Sequence, residues 1–323
     1  MSTADWRGLE VGYWLSSEEH GARRLVDLAE MAEAHGFDHA MISDHLHPWV
    51  PQQGHAPFVW GVLGAIAERT ERLHLATGVT APVHRIHPVV VAHAAATAAV
   101  LLEGRFALGL GTGEWLNEHA VGGEFPRPGG RRRRLEESIS ILRALFDGDE
   151  LNHDGPHFTV QHTRLYTRPE RPPELWLAAS GKRTSRLAGR KADGLIVLEP
   201  DPTLVGAYRA AGGHGPTIGQ LHVCWAPSVD DARETARRWW PNGAMPGSVL
   251  AELARPEHFE DLADLVTDGA IAEAVVCGPD PVPVVQALLR FAAAGCSRVY
   301  LHQVGPDQEG FFTFWAREVR SLL

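Results

Sequence analysis

The side chains best suited to chemistry fall in two short stretches. In "SDHLHPWVPQQGHAPF" (43–58), Asp44, His45, His47, Trp49, Gln53 and His55 are crowded into a single loop-like segment. Three chemistries fit it. The loop can be structural, with Asp44 capping a turn and the histidines filling polar gaps. Asp44, His45 and His47 can supply oxygen and nitrogen ligands to a metal. Against a metal, no other strand end offers a compact ligand cluster, and His45 and His47 alternate sides, so no metal site is assigned. Third, His45 offers an imidazole that a carboxylate can orient, which is the arrangement of acid–base catalysis. A histidine beside a tryptophan also suits a flat heteroaromatic cofactor.

The second stretch is "GLGTGEWLNE" (109–118). Its glycines suggest a dinucleotide fingerprint, but G-x-G-x-x-G requires glycine where Glu114 stands. Glycines admit close backbone approach, and the small-residue turn "AASGKRT" (178–184) opens a helix whose free N–H groups suit a phosphate. Each stretch alone also reads as a tight turn. Together they suit a cofactor, with Glu114 left free to face a ring nitrogen.

These residues need a scaffold that gathers them. Short apolar runs alternate with amphipathic ones along the chain. Strand-like runs cover 10–16, 38–45, 72–80, 105–113, 174–180, 193–200, 220–227, 272–278 and 298–305. Helical patterns lie between them. The first runs from Glu18 to Gly36, Pro88 opens an Ala-rich one, and another spans about 131–146. Residues 148–173 interrupt the rhythm as a turn and hairpin, and 228–272 reads as a helical insertion. Eight strands drawn from these nine runs, separated by helices and apolar on both faces, predict an α/β fold: a single (β/α)8 TIM barrel over 1–323 with those two insertions. A doubly wound open sheet is the competing topology. In a barrel the loops after the strands converge on one mouth, so both chemical stretches meet there.

Bulk properties narrow the partners. The 323 residues are 44% apolar and 22% charged, with a net charge of −10. That balance argues against nucleic acid and against an anionic membrane surface. Lys182 and Lys191 are the only lysines, which limits lysine chemistry. Cys224, Cys277 and Cys296 lie far apart in apolar runs, as reduced, packed thiols do. The N-terminus lacks a secretion signal, and no apolar run is long enough to cross a bilayer. A cytoplasmic, membrane-free protein is expected. The basic run Arg131–Arg134 reads as a solvated first helical turn or as a contact to an acidic ligand tail. "RRWWP" (237–241) reads as packing of the insertion or as an aromatic lid.

Taken in order, "EVGYWLSSEE", "SDHLHPW", "QGHAPF", "LATGVTAP", "GLGTGEWLNE", "LAASGK" and "AGRKADG" resemble the luciferase-like flavin and deazaflavin barrels over nearly the whole chain. The resemblance is to the coenzyme F420-dependent, glucose-6-phosphate dehydrogenase-like branch. It implies that His45 stands at the hydride-transfer centre, with Trp49 holding the reacting intermediate over the ring and Glu114 facing its N1 side. It implies that Asp44, Thr112, Gly113, Asn117, Ala179, Ser180 and Gly181 line the cofactor. It places Gly78-Val79 at the strand-three bulge, which often holds a non-proline cis peptide, and puts Glu18 and Gln52 in the substrate pocket. A homodimer is common among such relatives.

The departures from that branch concern the substrate. The sugar-phosphate enzyme binds its phosphate with two lysines and an arginine. The first lysine position falls near Asp201 and the arginine position on Glu273, while Arg255 is the basic residue nearest the remaining one. An acidic rim repels a phosphate dianion. The resemblance therefore implies hydride transfer between the deazaflavin and an unphosphorylated small molecule or modified peptide. Either alcohol oxidation or reduction of a C=C or C=O bond fits. An FMN-dependent monooxygenase of the same superfamily is the alternative, followed by a metal-dependent barrel hydrolase and a non-catalytic binding relative.

Overall fold

Eight parallel strands close on themselves in the computed structural model of the protein, which describes residues 8–323. The start of the segment read as lacking a secretion signal, residues 1–7, lies outside the described residues. The strands are β1 (Glu10–Leu15), β2 (His39–Ile42), β3 (His74–Thr77), β4 (Phe106–Leu110), β5 (Glu174–Ala178), β6 (Gly194–Val197), β7 (Thr217–Cys224) and β8 (Arg298–Gln303). Each pairs with the next, and β8 returns to β1 with Val299 opposite Val11. The sheet is therefore the TIM barrel expected from the alternation, and the open doubly wound sheet is excluded.

Side-chain period two divides every strand between two cores. The outward residues pack on the surrounding helices in the large core. The inward ones form a compact plug of Trp14, Met41, Ala76, Ala107, Trp176, Ile196, Ile218 and Tyr300. Two tryptophans and a tyrosine fill this plug against two alanines, so the barrel interior is solid below the mouth.

Local departures from the sequence reading have physical causes. The first helix begins at Ala22, not at Glu18, with Gly21 at its N-cap position. Glu18, Glu19 and His20 are instead buried in the loop after β1, where Glu18 and Glu19 find polar partners across the barrel mouth. The run 272–278 is not a barrel strand. Thr267 caps the helix Asp268–Ala274, which takes its first three residues, and only Val276–Cys277 pairs with the end of β7, beyond β6. The hairpin at Leu151–Asp154 and Thr159–Thr163 forms as expected. The 228–272 segment folds into short helices whose apolar faces build a second core with Trp49, Val50 and Leu116. It thus packs on the two chemical loops. No helix among the described residues is long and apolar enough to cross a membrane.

Candidate functional site

The loops after β1, β2 and β4 bring His45 between two carboxylates. Its Nε2 lies 3.4 Å from Glu18 Oε1 and 3.4 Å from Glu114 Oε2. Its Nδ1 lies 3.2 Å from the His47 carbonyl oxygen. Nδ1 thus meets an acceptor in that carbonyl and a donor in the Asn117 amide NH2 3.3 Å away, whereas Nε2 meets only carboxylate oxygens. Glu18 is itself held: Ser16 and Ser43 donate to its Oε2 at 3.1 and 2.5 Å. Glu114 keeps 35% of its side chain open to the mouth. Burial nonetheless raises its pKa, opposed by His45 and reinforced by the negative charge of Glu18.

The loop carrying His45 is clamped from two directions. The Asn117 Oδ1 accepts the backbone N–H groups of Leu46 and His47 at 2.8 and 3.2 Å, and its Nδ2 lies 3.4 Å from Glu114. Gln53 accepts the Trp49 and Val50 N–H groups and donates to the Trp239 carbonyl in the insertion. Trp49 lies 5.0 Å from the His45 ring and packs edge-on against Phe259 of the insertion. The insertion therefore braces the tryptophan that covers the histidine.

Asp44 faces the other way. Thr80 donates to its Oδ2 at 2.7 Å and Arg85 to its Oδ1 at 3.2 Å. Arg85 also gives its backbone N–H to Glu118. Burial pushes the Glu118 carboxyl up to about 7, against the pull of Arg85. Asp44, expected beside a cofactor, thus has both oxygens engaged in tying the loops after β2, β3 and β4 together.

The glycines of "GLGTG" divide their work. A Cβ on Gly109 would overlap the Thr77 carbonyl, and one on Gly111 would overlap Val79. These two glycines serve the close approach of β4 to β3 rather than an open ligand site. Gly113 turns the chain with φ of +75° into the short helix Trp115–Glu118, leaving Thr112 and Glu114 partly exposed at the mouth. The Gly78-Val79 peptide is cis, at the expected place.

Other expected site residues are scattered. Ala179 is buried, whereas Ser180 and Gly181 lead into the helix Lys182–Lys191, whose N-terminus has no side-chain cap. Gln52 is exposed, and its neighbour Gln53 is the buried one. Asp201 is the N-cap of the helix Pro202–Ala210, accepting from Thr203 N at 2.7 Å. Glu273 is an exposed helical residue, and Arg255 is bonded to His258.

Two features were not legible beforehand. Arg131 is buried, not solvated: Glu252 holds one Nη, Phe125 lies under the guanidinium, and its Nε and Nη1 have no partner among the described residues. It lies close enough to Glu114 to lower that carboxyl's pKa. Deeper in the mouth, Glu19, His302 and His222 form a hydrogen-bonded chain beneath Trp240. Only the alternation of β7 and β8 hints at the two histidines.

The geometry fits an anionic, flat cofactor on three counts: a buried guanidinium with two orphaned donors, an uncapped helix N-terminus and the Thr112–Gly113 turn. The family model for luciferase-like monooxygenases matches residues 9–298. An F420-dependent glucose-6-phosphate dehydrogenase of Microbacterium testaceum is 35% identical over 328 residues, covering 98% of this chain and 97% of its own. The Nocardia farcinica protein of that description is 34% identical, with 98% of each chain covered. Among solved structures, an F420-dependent secondary alcohol dehydrogenase in complex with an F420-acetone adduct superposes with a TM-score of 0.91. It is 26% identical and covers 98% of this chain and 99% of its own.

Proposed function

The chain belongs to the luciferase-like monooxygenase family, and from that premise we infer a coenzyme F420-dependent oxidoreductase that interconverts an unphosphorylated alcohol and its carbonyl. The observation that carries the reading is His45 Nε2 held between Glu18 and Glu114 under Trp49. The whole-length likeness to deazaflavin-dependent dehydrogenases supports the cofactor.

Arg131, Thr112, Gly113, Ser180 and the helix N-terminus at Gly181 are the groups that would hold the deazaflavin and its acidic tail. When bound, the deazaflavin supplies a carbon that accepts or returns hydride and reacts poorly with oxygen. The chain handles the proton. In the tautomer that donates Nδ1–H to the His47 carbonyl, His45 Nε2 accepts hydrogen from a substrate hydroxyl. The imidazolium so formed is stabilised by the two carboxylates, 3.4 Å away on either side. In the reverse direction the same nitrogen returns the proton to a carbonyl oxygen. Asn117 and Gln53 keep the ring in place, and Trp49 with Phe259 excludes water from it.

The substrate lacks a phosphate in this reading. Asp201 is engaged in helix capping, Glu273 brings negative charge, and Arg255 is bonded to His258. No set of three cations is assembled at the positions that bind the sugar phosphate in the related branch. The test is a fluorescence titration with F420, followed by turnover of secondary alcohols with oxidised cofactor and of ketones with reduced cofactor. We expect His45→Ala to lose roughly 100-fold or more in kcat. Retention of FMN without F420 binding, or faster turnover of glucose-6-phosphate than of any neutral alcohol, overturns the reading.

A further inference from the structure

The hydrogen-bonded chain of Glu19, His302 and His222 has no part in the chemistry assigned to His45. Glu19, in the loop after β1, accepts the Gly305 N–H at 2.8 Å with one carboxyl oxygen and meets His302 Nε2 at 2.6 Å with the other. His302 Nδ1 lies 2.9 Å from His222 Nδ1. The two histidines are opposite each other in the register of β8 and β7. Both face the barrel interior, because Tyr300 and Ile218, at even spacings below them, belong to the central plug. Glu19 and His302 are fully buried, whereas His222 keeps part of its surface open, and no group among the described residues meets its Nε2. Trp240 lies 4.4 Å from the His302 ring and 5.4 Å from the His222 ring, forming the wall above. The chain therefore starts at a buried carboxyl and ends on a free nitrogen in the mouth that also holds Glu18 and His45.

The geometry fixes how the two ends communicate. Two nitrogens 2.9 Å apart share a single proton, since two donors repel and two acceptors gain nothing. If Glu19 accepts from His302 Nε2–H, then His302 Nδ1 is an acceptor, His222 carries hydrogen on Nδ1, and its Nε2 presents a lone pair. If the group at position 19 donates instead, both rings change tautomer and His222 Nε2 presents a hydrogen. The second state holds one proton more than the first, and taking it up at the carboxyl shifts the hydrogen on each ring toward His222 Nε2. Ser16, Glu18 and His20 surround the Glu19 end, and burial keeps the chain free of separated charge by raising the Glu19 carboxyl to about 7 and lowering His302 to about 3.

We propose that His222 is a specificity-determining residue that binds a second hydroxyl of the substrate, with Glu19 setting its tautomer through His302. A hydroxyl both donates and accepts, so it is the group that either tautomer satisfies. This rests on the reading of the barrel mouth as the substrate site of an alcohol oxidoreductase. The substrate class it names is a hydroxy-alcohol rather than a simple alcohol.

The test has two independent arms. Histidine-selective 15N NMR on the wild type and on Glu19→Gln reports which ring nitrogens carry hydrogen. A glutamine whose oxygen keeps the Gly305 N–H turns its NH2 toward His302, so above pH 7, where the wild-type Glu19 is a carboxylate, the protonated nitrogen should swap on both rings. Titration with 1,3-butanediol should then shift the His222 Nε2 resonance more than 2-butanol does, whether or not turnover occurs. In the second arm the deazaflavin absorbance follows oxidation of 1,3-butanediol and 2-butanol. Loss of one hydrogen bond predicts that His222→Leu lowers the preference for the diol by about 3- to 10-fold, with F420 affinity within about twofold of the wild type by the same bound. His222→Gln should restore part of the preference. Tautomers in Glu19→Gln that match those of the wild type above pH 7, or equal loss on both alcohols, overturn the proposal. Failure to bind F420 sinks the enzymatic reading instead, and leaves the NMR arm to decide the binding role of His222.

Discussion

Replacing Asn117 by alanine isolates what holds the loop that carries His45. The Asn117 Oδ1 is the acceptor for the Leu46 and His47 backbone N–H groups, at 2.8 and 3.2 Å. Each such bond contributes about 0.5–1.5 kcal/mol, so their joint loss costs about 1–3 kcal/mol. The cost falls on the segment that carries His45, because both donors follow that residue directly. Local opening should then rise by about 5- to 150-fold, at 1.4 kcal/mol per factor of ten. Native-state amide hydrogen exchange reads this at Leu46 and His47 themselves. Asn117→Asp keeps the acceptor oxygen and should keep most of the protection, although it loses the Nδ2 contact to Glu114. Turnover should fall in both variants, and more in the alanine. If exchange at Leu46 and His47 is the same in wild type and Asn117→Ala, the tether has no energetic weight and the argument that Asn117 positions His45 is wrong.

Arg131→Met removes two orphaned donors at the mouth and should weaken F420 binding about tenfold or more, as the loss of a charge-assisted bond does. An unchanged fluorescence titration would contradict that role. Gly109→Ala forces a methyl against the Thr77 carbonyl and should cost about 1–3 kcal/mol or more in denaturant unfolding. Gly61→Ala meets open space in an exposed helical position and should stabilise by up to about 1 kcal/mol. The stability profile follows from the buried groups. The Glu19 and Glu118 carboxyls, raised to about 7, hold protons that the unfolded chain has already released above 4.5, so stability falls as pH rises from 4.5 to 7. The lowered histidines, His20 and His39 at about 4 and His302 at about 3, resist protons that the unfolded chain takes up below 6.5, so stability falls as pH drops. Each group contributes about 1.4 kcal/mol per pH unit within its window. The histidines outnumber the two carboxyls on the acid side, which sets the Tm maximum near pH 6–7. Glu19→Gln should flatten the alkaline limb, and an unaltered limb would count against a protonated Glu19.

The barrel was legible because its cause is local. Alternating apolar runs and helical stripes recur along the chain, and a parallel strand buried on both faces reads as one continuous apolar segment. His45, Trp49 and Glu114 were legible because histidine, tryptophan and glutamate after glycine are unusual at strand ends. Misreadings occurred where tertiary contacts overruled local pattern. Glu18 and Glu19 fit the amphipathic stripe of the first helix, yet they left it for partners supplied by Ser43, His45 and Gly305. Arg131 sits in a run of four arginines that reads as solvated, and only the packing of Phe125 and Glu252 singles it out.

By itself, the sequence determined the strand and helix periods, the barrel they imply and the chemical character of the loops after β2 and β4. Those properties depend on neighbours within a few residues. Tertiary structure alone decided which polar groups face one another. It placed Glu18 against His45, engaged Asp44 with Thr80 and Arg85, and aligned His222 with His302 across 80 positions. Closure of the barrel sets those pairings, since it brings strand ends distant in sequence to one mouth, and no local period encodes which side chains will meet there.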